Sequence, residues 1–140
     1  MNIKAKTTII FMIATTLLFL PSVASQESTS LEIIGFSGGV GGVTVDIENT
    51  GNVAAEEVWV ITTVSGGFLG NIDITHECTG CSSCGSSLAP GSIKTENSRE
   101  AAFLLGFGPI EITTSAGATN ADEISDVASG FALGPIVIIN

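Results

Sequence analysis

The sequence predicts an all-β domain in which two sheets bury their apolar faces against each other. Three observations predict it. Val43, Val45 and Ile47 alternate with Thr44, Asp46 and Glu48, the period-two pattern of a strand with one dry and one wet face. In a second run, Glu57 to Ser65, Val58, Val60, Thr62 and Val64 share one side and Trp59, Ile61 and Thr63 the other. Between such runs, Gly, Pro and Asn recur at roughly ten-residue intervals, the turn spacing of a sandwich.

Taken in order, the first element is the leader. Lys4 and Lys6 precede an uncharged apolar run from Thr7 to Leu20, followed by Pro21 and the small residues Ser22, Val23, Ala24 and Ser25. A basic start, a short apolar stretch and a small-x-small site predict a helical secretory signal peptide over residues 1–25. The run is shorter than the ~20 apolar residues that span a bilayer, so cleavage is expected over a retained anchor. Residues 26–140 then form a single domain.

Leu31 to Phe36 is a short Ile-rich strand ended by Ser37-Gly38-Gly39-Val40-Gly41-Gly42. That glycine tract matches no phosphate or dinucleotide loop, because it leads into a strand where those loops open a helix. Val43 to Glu48 is the second strand, and Asn49-Thr50-Gly51-Asn52 its turn. Glu57 to Ser65 is the third, its Trp59 expected to pack inside the sandwich. Gly70 to Thr75 carries Ile72 and Ile74 as a shorter strand, and a cysteine-rich loop is expected at 76–85. After the Pro90-Gly91 turn, Ser92 to Leu105 reads as one long or broken strand, with weak helical character from Arg99 onward. Gly106-Phe107-Gly108-Pro109 reads as a turn, and Ile110, Ile112 and Thr114 alternate with Glu111 and Thr113 beyond it. Gly117 to Asp122 is a polar connection, and Ile124 to Ile139 closes the chain with breaks at Gly130 and Gly134-Pro135. The total is about seven strands.

Charge narrows the partners. The whole chain carries −10, and without the leader only Lys94 and Arg99 face 14 acidic residues, a net charge of −12. Nucleic acid is excluded as a natural partner, since nothing is present to displace its counterions. Anionic lipid is disfavoured for the same reason, so contact with membrane is expected only during export or through an uncleaved leader. Such a surface favours solubility and can attract divalent cations. No Asn-x-Ser/Thr sequon occurs, so N-glycosylation is not expected.

Val45-x-x-x-Asn49-x-Gly51-x-x-Ala54-x-x-Val58, then Leu88-Ala89-Pro90-Gly91, then Gly108-Pro109-Ile110-x-Ile112-Thr113 resemble the immunoglobulin-like modules of archaeal and bacterial surface proteins. The nearest group is the cell-adhesion-related CARDB type. The resemblance implies a seven-stranded Greek-key sandwich and a role in surface architecture or adhesion, with a protein or cell-envelope component as partner. It implies no catalytic residues. The cysteine segment departs from it, and such modules usually stand within larger proteins, whereas this one is expected to stand alone.

His76-Glu77-Cys78-Thr79-Gly80-Cys81-Ser82-Ser83-Cys84-Gly85 holds every cysteine and the only histidine. Cys-x-x-Cys lets two thiolates reach one soft ion, and a nearby imidazole can help complete a tetrahedron. On that reading His76, Cys78, Cys81 and Cys84 form a zinc site packed into nine residues, where structural zinc sites normally join separate segments. The competing reading follows from the leader: an exported protein meets an oxidising setting, where cysteines pair. Three cysteines then give one disulfide among Cys78, Cys81 and Cys84, with one thiol left free or cross-linking two chains. Which pair closes is open. The disulfide is the expectation, with no cofactor, and zinc is the alternative. Redox chemistry of the thioredoxin kind needs its cysteines at a helix N-terminus in a βαβ unit, which the pattern does not offer.

The remaining candidates reduce to structure. Asp122, Glu123 and Asp126 offer oxygens to calcium but lack the Asp-x-Asp-x-Asp-Gly frame. No Gly-x-Ser-x-Gly elbow exists, and the single histidine lies in the cysteine segment. Phe103, Leu104, Leu105 and Phe107 crowd one turn and are expected to cover an end of the core instead of forming an exposed patch. The expectation is an exported, secreted or cell-surface module that is not an enzyme. Small metal-binding protein is the first alternative, and self-association through a cysteine or a strand edge the second.

Overall fold

In a computed structural model of the chain, residues 27–79 and 87–140 are described. The expected leader, Cys81 and Cys84 lie outside them. The described residues form eight strands: β1 Leu31–Gly38, β2 Val43–Asn49, β3 Trp59–Gly66, β4 Ile72–Cys78, β5 Ile93–Asn97, β6 Gly106–Ala118, β7 Ala121–Gly134 and β8 Ile136–Ile139. Short 3-10 turns at Phe68–Gly70 and Ser98–Glu100 are the helical elements among them. β-Branched residues make up most of β2, β3 and β8, as strand propensity favours, and Pro90 and Pro135 fall between strands.

The strands pair antiparallel in two sheets. One has the order β1-β2-β5, the other β4-β3-β6-β7-β8. The chain therefore changes sheet between β2 and β3, between β4 and β5, and between β5 and β6. Val43, Val45 and Ile47 of β2 share one buried core with Val60 and Val64 of β3 and Ile110, Ile112 and Ala116 of β6. The two faces predicted to be dry are thus the ones that meet, as in a β-sandwich.

The two sides of the sandwich are closed differently. At the β1/β8 side the backbone does it: the Val137 N–H donates to Gly39 O at 2.9 Å and the Gly41 N–H to Pro135 O at 2.6 Å. At the other side β5 and β4 are the edge strands of their sheets, and side chains fill the gap.

Several expectations are corrected. The described residues hold eight strands where about seven were expected, because Gly134 at positive φ turns the last stretch into the β7–β8 hairpin. Ser92 to Leu105 is not one strand. Asn97 caps a 3-10 turn with its side-chain oxygen accepting from the Arg99 N–H at 2.9 Å, and the chain leaves the ladder there. Gly106 to Pro109, read as a turn, is the start of β6, paired with Ala132 to Gly134 and Phe131 of β7. Pro109 is tolerated because β3 stops opposite Ile110, so the proline sits beyond its last pair, in an edge-like position. Trp59 lies half-buried on the outer face of the five-stranded sheet, not in the core. Its ring covers Gly117, where an added Cβ would come within 2.5 Å of the indole. Of the cluster expected to cover the core, Leu104 is buried, but Phe103, Leu105 and Phe107 are exposed. The cysteine segment also gives its first residues, His76, Glu77 and Cys78, to β4 instead of to a loop.

Candidate functional site

The site is built where β5 faces β4 across the open side of the sandwich. β5 pairs with β2 so that Lys94 lies opposite Ile47 and Glu96 opposite Val45, both inward-facing positions. The strand therefore turns its charged residues in and its Ile93 out, where Ile93 is 54% exposed. β4 alternates with Ile72, His76 and Cys78 buried and Asp73, Thr75 and Glu77 exposed. His76 and Cys78, two residues apart, consequently share the inner face.

These side chains converge on one carboxylate. Lys94 Nζ is 3.0 Å from Glu96 Oε1, and Cys78 Sγ is 3.3 Å from the same oxygen. His76 Nε2 is 3.5 Å from Glu96 Oε2, too far for a good hydrogen bond. The Nε2 atom is enclosed by protein and has no hydrogen-bond partner among the described residues. The side chains of Lys94, Glu96 and His76 are each about one-tenth exposed. A buried charged group needs a partner, and the Lys94–Glu96 pair meets that need for both.

The 3-10 turn adds a third element to the site. The Ser98 hydroxyl accepts from the Val43 N–H at 2.9 Å in a buried position, which anchors the turn to β2. Glu100, at its end, is thereby brought beside the pair. Ligand-type atoms of His76, Glu96 and Glu100 all lie within 4.8 Å of one another. One imidazole and two carboxylates at that spacing can accept a divalent cation.

Of the four residues singled out in sequence for metal or disulfide, His76 and Cys78 are together on the inner face of β4. Cys81 and Cys84 are outside the described residues. Asp122, Glu123 and Asp126 lie on exposed positions of β7 and are not brought together. Glu96, Glu100 and Lys94 were missed because nothing local marks a charged residue as inward-facing. One signal was present: Asn97-x-x-Glu100 is the spacing of a capping motif that starts a helical turn.

A second feature is apolar. On the outer face of the five-stranded sheet, Phe107 is in register with Leu133, Phe131 with Ile138, and Leu133 with Ile136. All five side chains are exposed, and the rings of Phe107 and Phe131 meet edge to face with centroids 5.3 Å apart.

No protein-family model matches the sequence, and no curated protein matches it. Among solved structures, a β-glucosidase from Listeria innocua in complex with glucose is similar at 14% identity and a TM-score of 0.36. That likeness covers 77% of this chain and 17% of the other. A likeness so slight carries no argument about this chain.

Proposed function

We propose that the chain is an exported, non-catalytic module of the cell surface or the medium, immunoglobulin-like in topology, that binds a protein or envelope component through its outer sheet face. The observation that carries the reading is the apolar face of Phe107, Phe131, Leu133, Ile136 and Ile138, contiguous by strand register and open to solvent. Exposed apolar side chains clustered in this way mark interaction surfaces. The topology is in keeping with it: strands in the order 1-2-5 opposite 4-3-6-7 follow the A-B-E and C′-C-F-G order of immunoglobulin-type sandwiches, with β8 added beside the last strand. The acidic surface and the basic-then-apolar start support export and oppose adsorption to anionic lipid.

The same reading places a disulfide in the cysteine segment. One pair among Cys78, Cys81 and Cys84 closes, with Cys78 at the end of β4, and the remaining thiol is free or joins two chains. Reduction and alkylation followed by mass spectrometry test it: one alkylated cysteine before reduction and three after are expected.

For the interaction surface, the comparison is between the wild-type chain and a Phe107→Ser/Leu133→Ser variant, each incubated with envelope fractions of its host. Binding by the wild type and a loss of at least about tenfold in a variant of unchanged melting temperature is the expected result. Equal binding by both overturns this assignment. Fractionation of the host with N-terminal mass spectrometry checks export: recovery from the envelope or medium with the first 24 or 25 residues missing is expected, and full-length protein in the cytosol contradicts it.

A further inference from the structure

From the geometry at the β4/β5 edge we infer that the chain binds one divalent transition-metal ion of the zinc class through His76, Glu96 and Glu100. These are not the four residues that spacing in the sequence suggests. The donors come from three separate elements, β4, β5 and the 3-10 turn, which is how metal sites are normally assembled, and they include neither Cys81 nor Cys84.

The observation that points to an ion is the His76 ring. Its Nε2 is buried and has no hydrogen-bond partner among the described residues, although a carboxylate oxygen stands 3.5 Å away. A histidine pinned against a carboxylate by a proton would close to about 2.8 Å. Two ligand atoms bound tetrahedrally at zinc distances of 2.0–2.1 Å lie about 3.4 Å apart instead. The 3.5 Å separation of Nε2 and Oε2 leaves room for an ion held between them.

The neighbouring groups suit the same occupant. Lys94 takes Oε1 of Glu96, so Oε2, the oxygen turned to His76, remains for the cation. Glu100 is exposed, and its carboxylate lies within 4.8 Å of the other two ligand atoms. Two carboxylates against one lysine leave the site with a net negative charge, inside a chain that is itself strongly acidic. A nitrogen and two oxygens are a borderline-to-hard donor set suited to zinc.

Metal-free full chain is titrated with zinc chloride by isothermal calorimetry, alongside Glu100→Gln and a Cys81→Ser/Cys84→Ser variant. Glu100 is exposed and lies outside the strands, so its replacement leaves the fold intact; unchanged melting of the metal-free variant verifies this. The expected result is one zinc per wild-type chain with Kd of about 1 µM or tighter. Glu100→Gln is then weakened at least about tenfold and the cysteine variant by less than about threefold. Zinc also raises the melting temperature of the wild type more than that of Glu100→Gln, since a ligand bound to the folded state alone stabilises it. Absence of saturable uptake at about 0.1 mM free zinc, unchanged affinity in Glu100→Gln, or loss of binding in the cysteine variant overturns the inference. None of these results bears on the apolar face, so the two proposals fail separately.

Discussion

Asn49 sits at the end of β2 with its side chain fully enclosed, and it makes three hydrogen bonds there. Its Nδ2 donates to Val53 O and to Leu88 O, each at 2.8 Å, and its Oδ1 accepts from the Gly51 N–H at 3.0 Å. Those bonds tie the turn after β2 to the segment leading into the Pro90-Gly91 turn, 39 residues on at Leu88. Gly51 completes the junction, because an added Cβ would come within 2.4 Å of Ser28 O. Replacing Asn49 by Ala removes all three bonds, with Leu88 O keeping the Ala55 N–H and the Gly51 N–H keeping Ser30 O, and should cost about 2 kcal/mol in denaturant unfolding. Asn49→Asp should cost more, since it has no donor and sets a carboxylate against two carbonyl oxygens. Thr62 and Thr114 form a different kind of buried pair, their hydroxyls 3.1 Å apart across β3 and β6. Thr62→Val alone should lose about 1–2 kcal/mol by leaving the partner unpaired. The double change to Val should recover most of that loss. A double-mutant cycle reads the coupling directly. The Asn-x-Gly turn was legible in sequence because Asn and Gly carry turn chemistry in themselves. The threonine pair was not, since nothing in a run such as Thr62-Thr63 says which hydroxyl meets a partner from a strand fifty residues away.

At the scale of the element, β5 is the strand whose phase runs against its composition. A reading by hydrophobicity buries Ile93; register with β2 buries Lys94 and Glu96 instead. Charged residues pointing inward from an edge strand are one way that sheets avoid pairing with other chains, and here they also give the strand a fixed partner in β4. Ile93→Thr should therefore change stability by less than about 0.5 kcal/mol. Glu96→Ala should cost about 1–3 kcal/mol, because it removes the carboxylate that Lys94 and Cys78 face. Thermal or urea melts of the two variants, side by side, decide which phase the strand adopts. The neighbouring 3-10 turn depends on Ser98, whose hydroxyl is the acceptor for a buried Val43 amide. Ser98→Ala should cost about 1–2 kcal/mol and release Glu100 from its position. β2, β3 and most of β6 were legible because a half-buried strand writes its two faces into alternate residues. β5 and the start of β6 were not, because an inward charge and a strand-borne proline are set by their neighbours and not by their own residue types.

For the whole molecule, two sheets enclose one core, and each side of the sandwich is sealed in its own way. Backbone hydrogen bonds join β8 to the glycine tract after β1, while charged side chains fill the gap between β4 and β5. Because the core joins both sheets, neither can keep its apolar face buried alone. Unfolding should therefore be a single cooperative transition, with far-UV circular dichroism and the fluorescence of Trp59 giving coincident melting curves. The all-β class was readable from the sequence in several strands at once. The meeting of His76 with Glu96 was not, since it depends on how two edge strands from different sheets face each other.

That meeting is also the statement on which the site depends, and it can be observed directly. His76 is the single histidine of the chain, so its ring protons are unambiguous in an NMR spectrum. Nuclear Overhauser effects from those protons to the side-chain methylenes of Glu96 are the predicted result. Effects confined to residues of β3 and β4, with none reaching β5, would show that the two edge strands do not close on each other and that the site does not form.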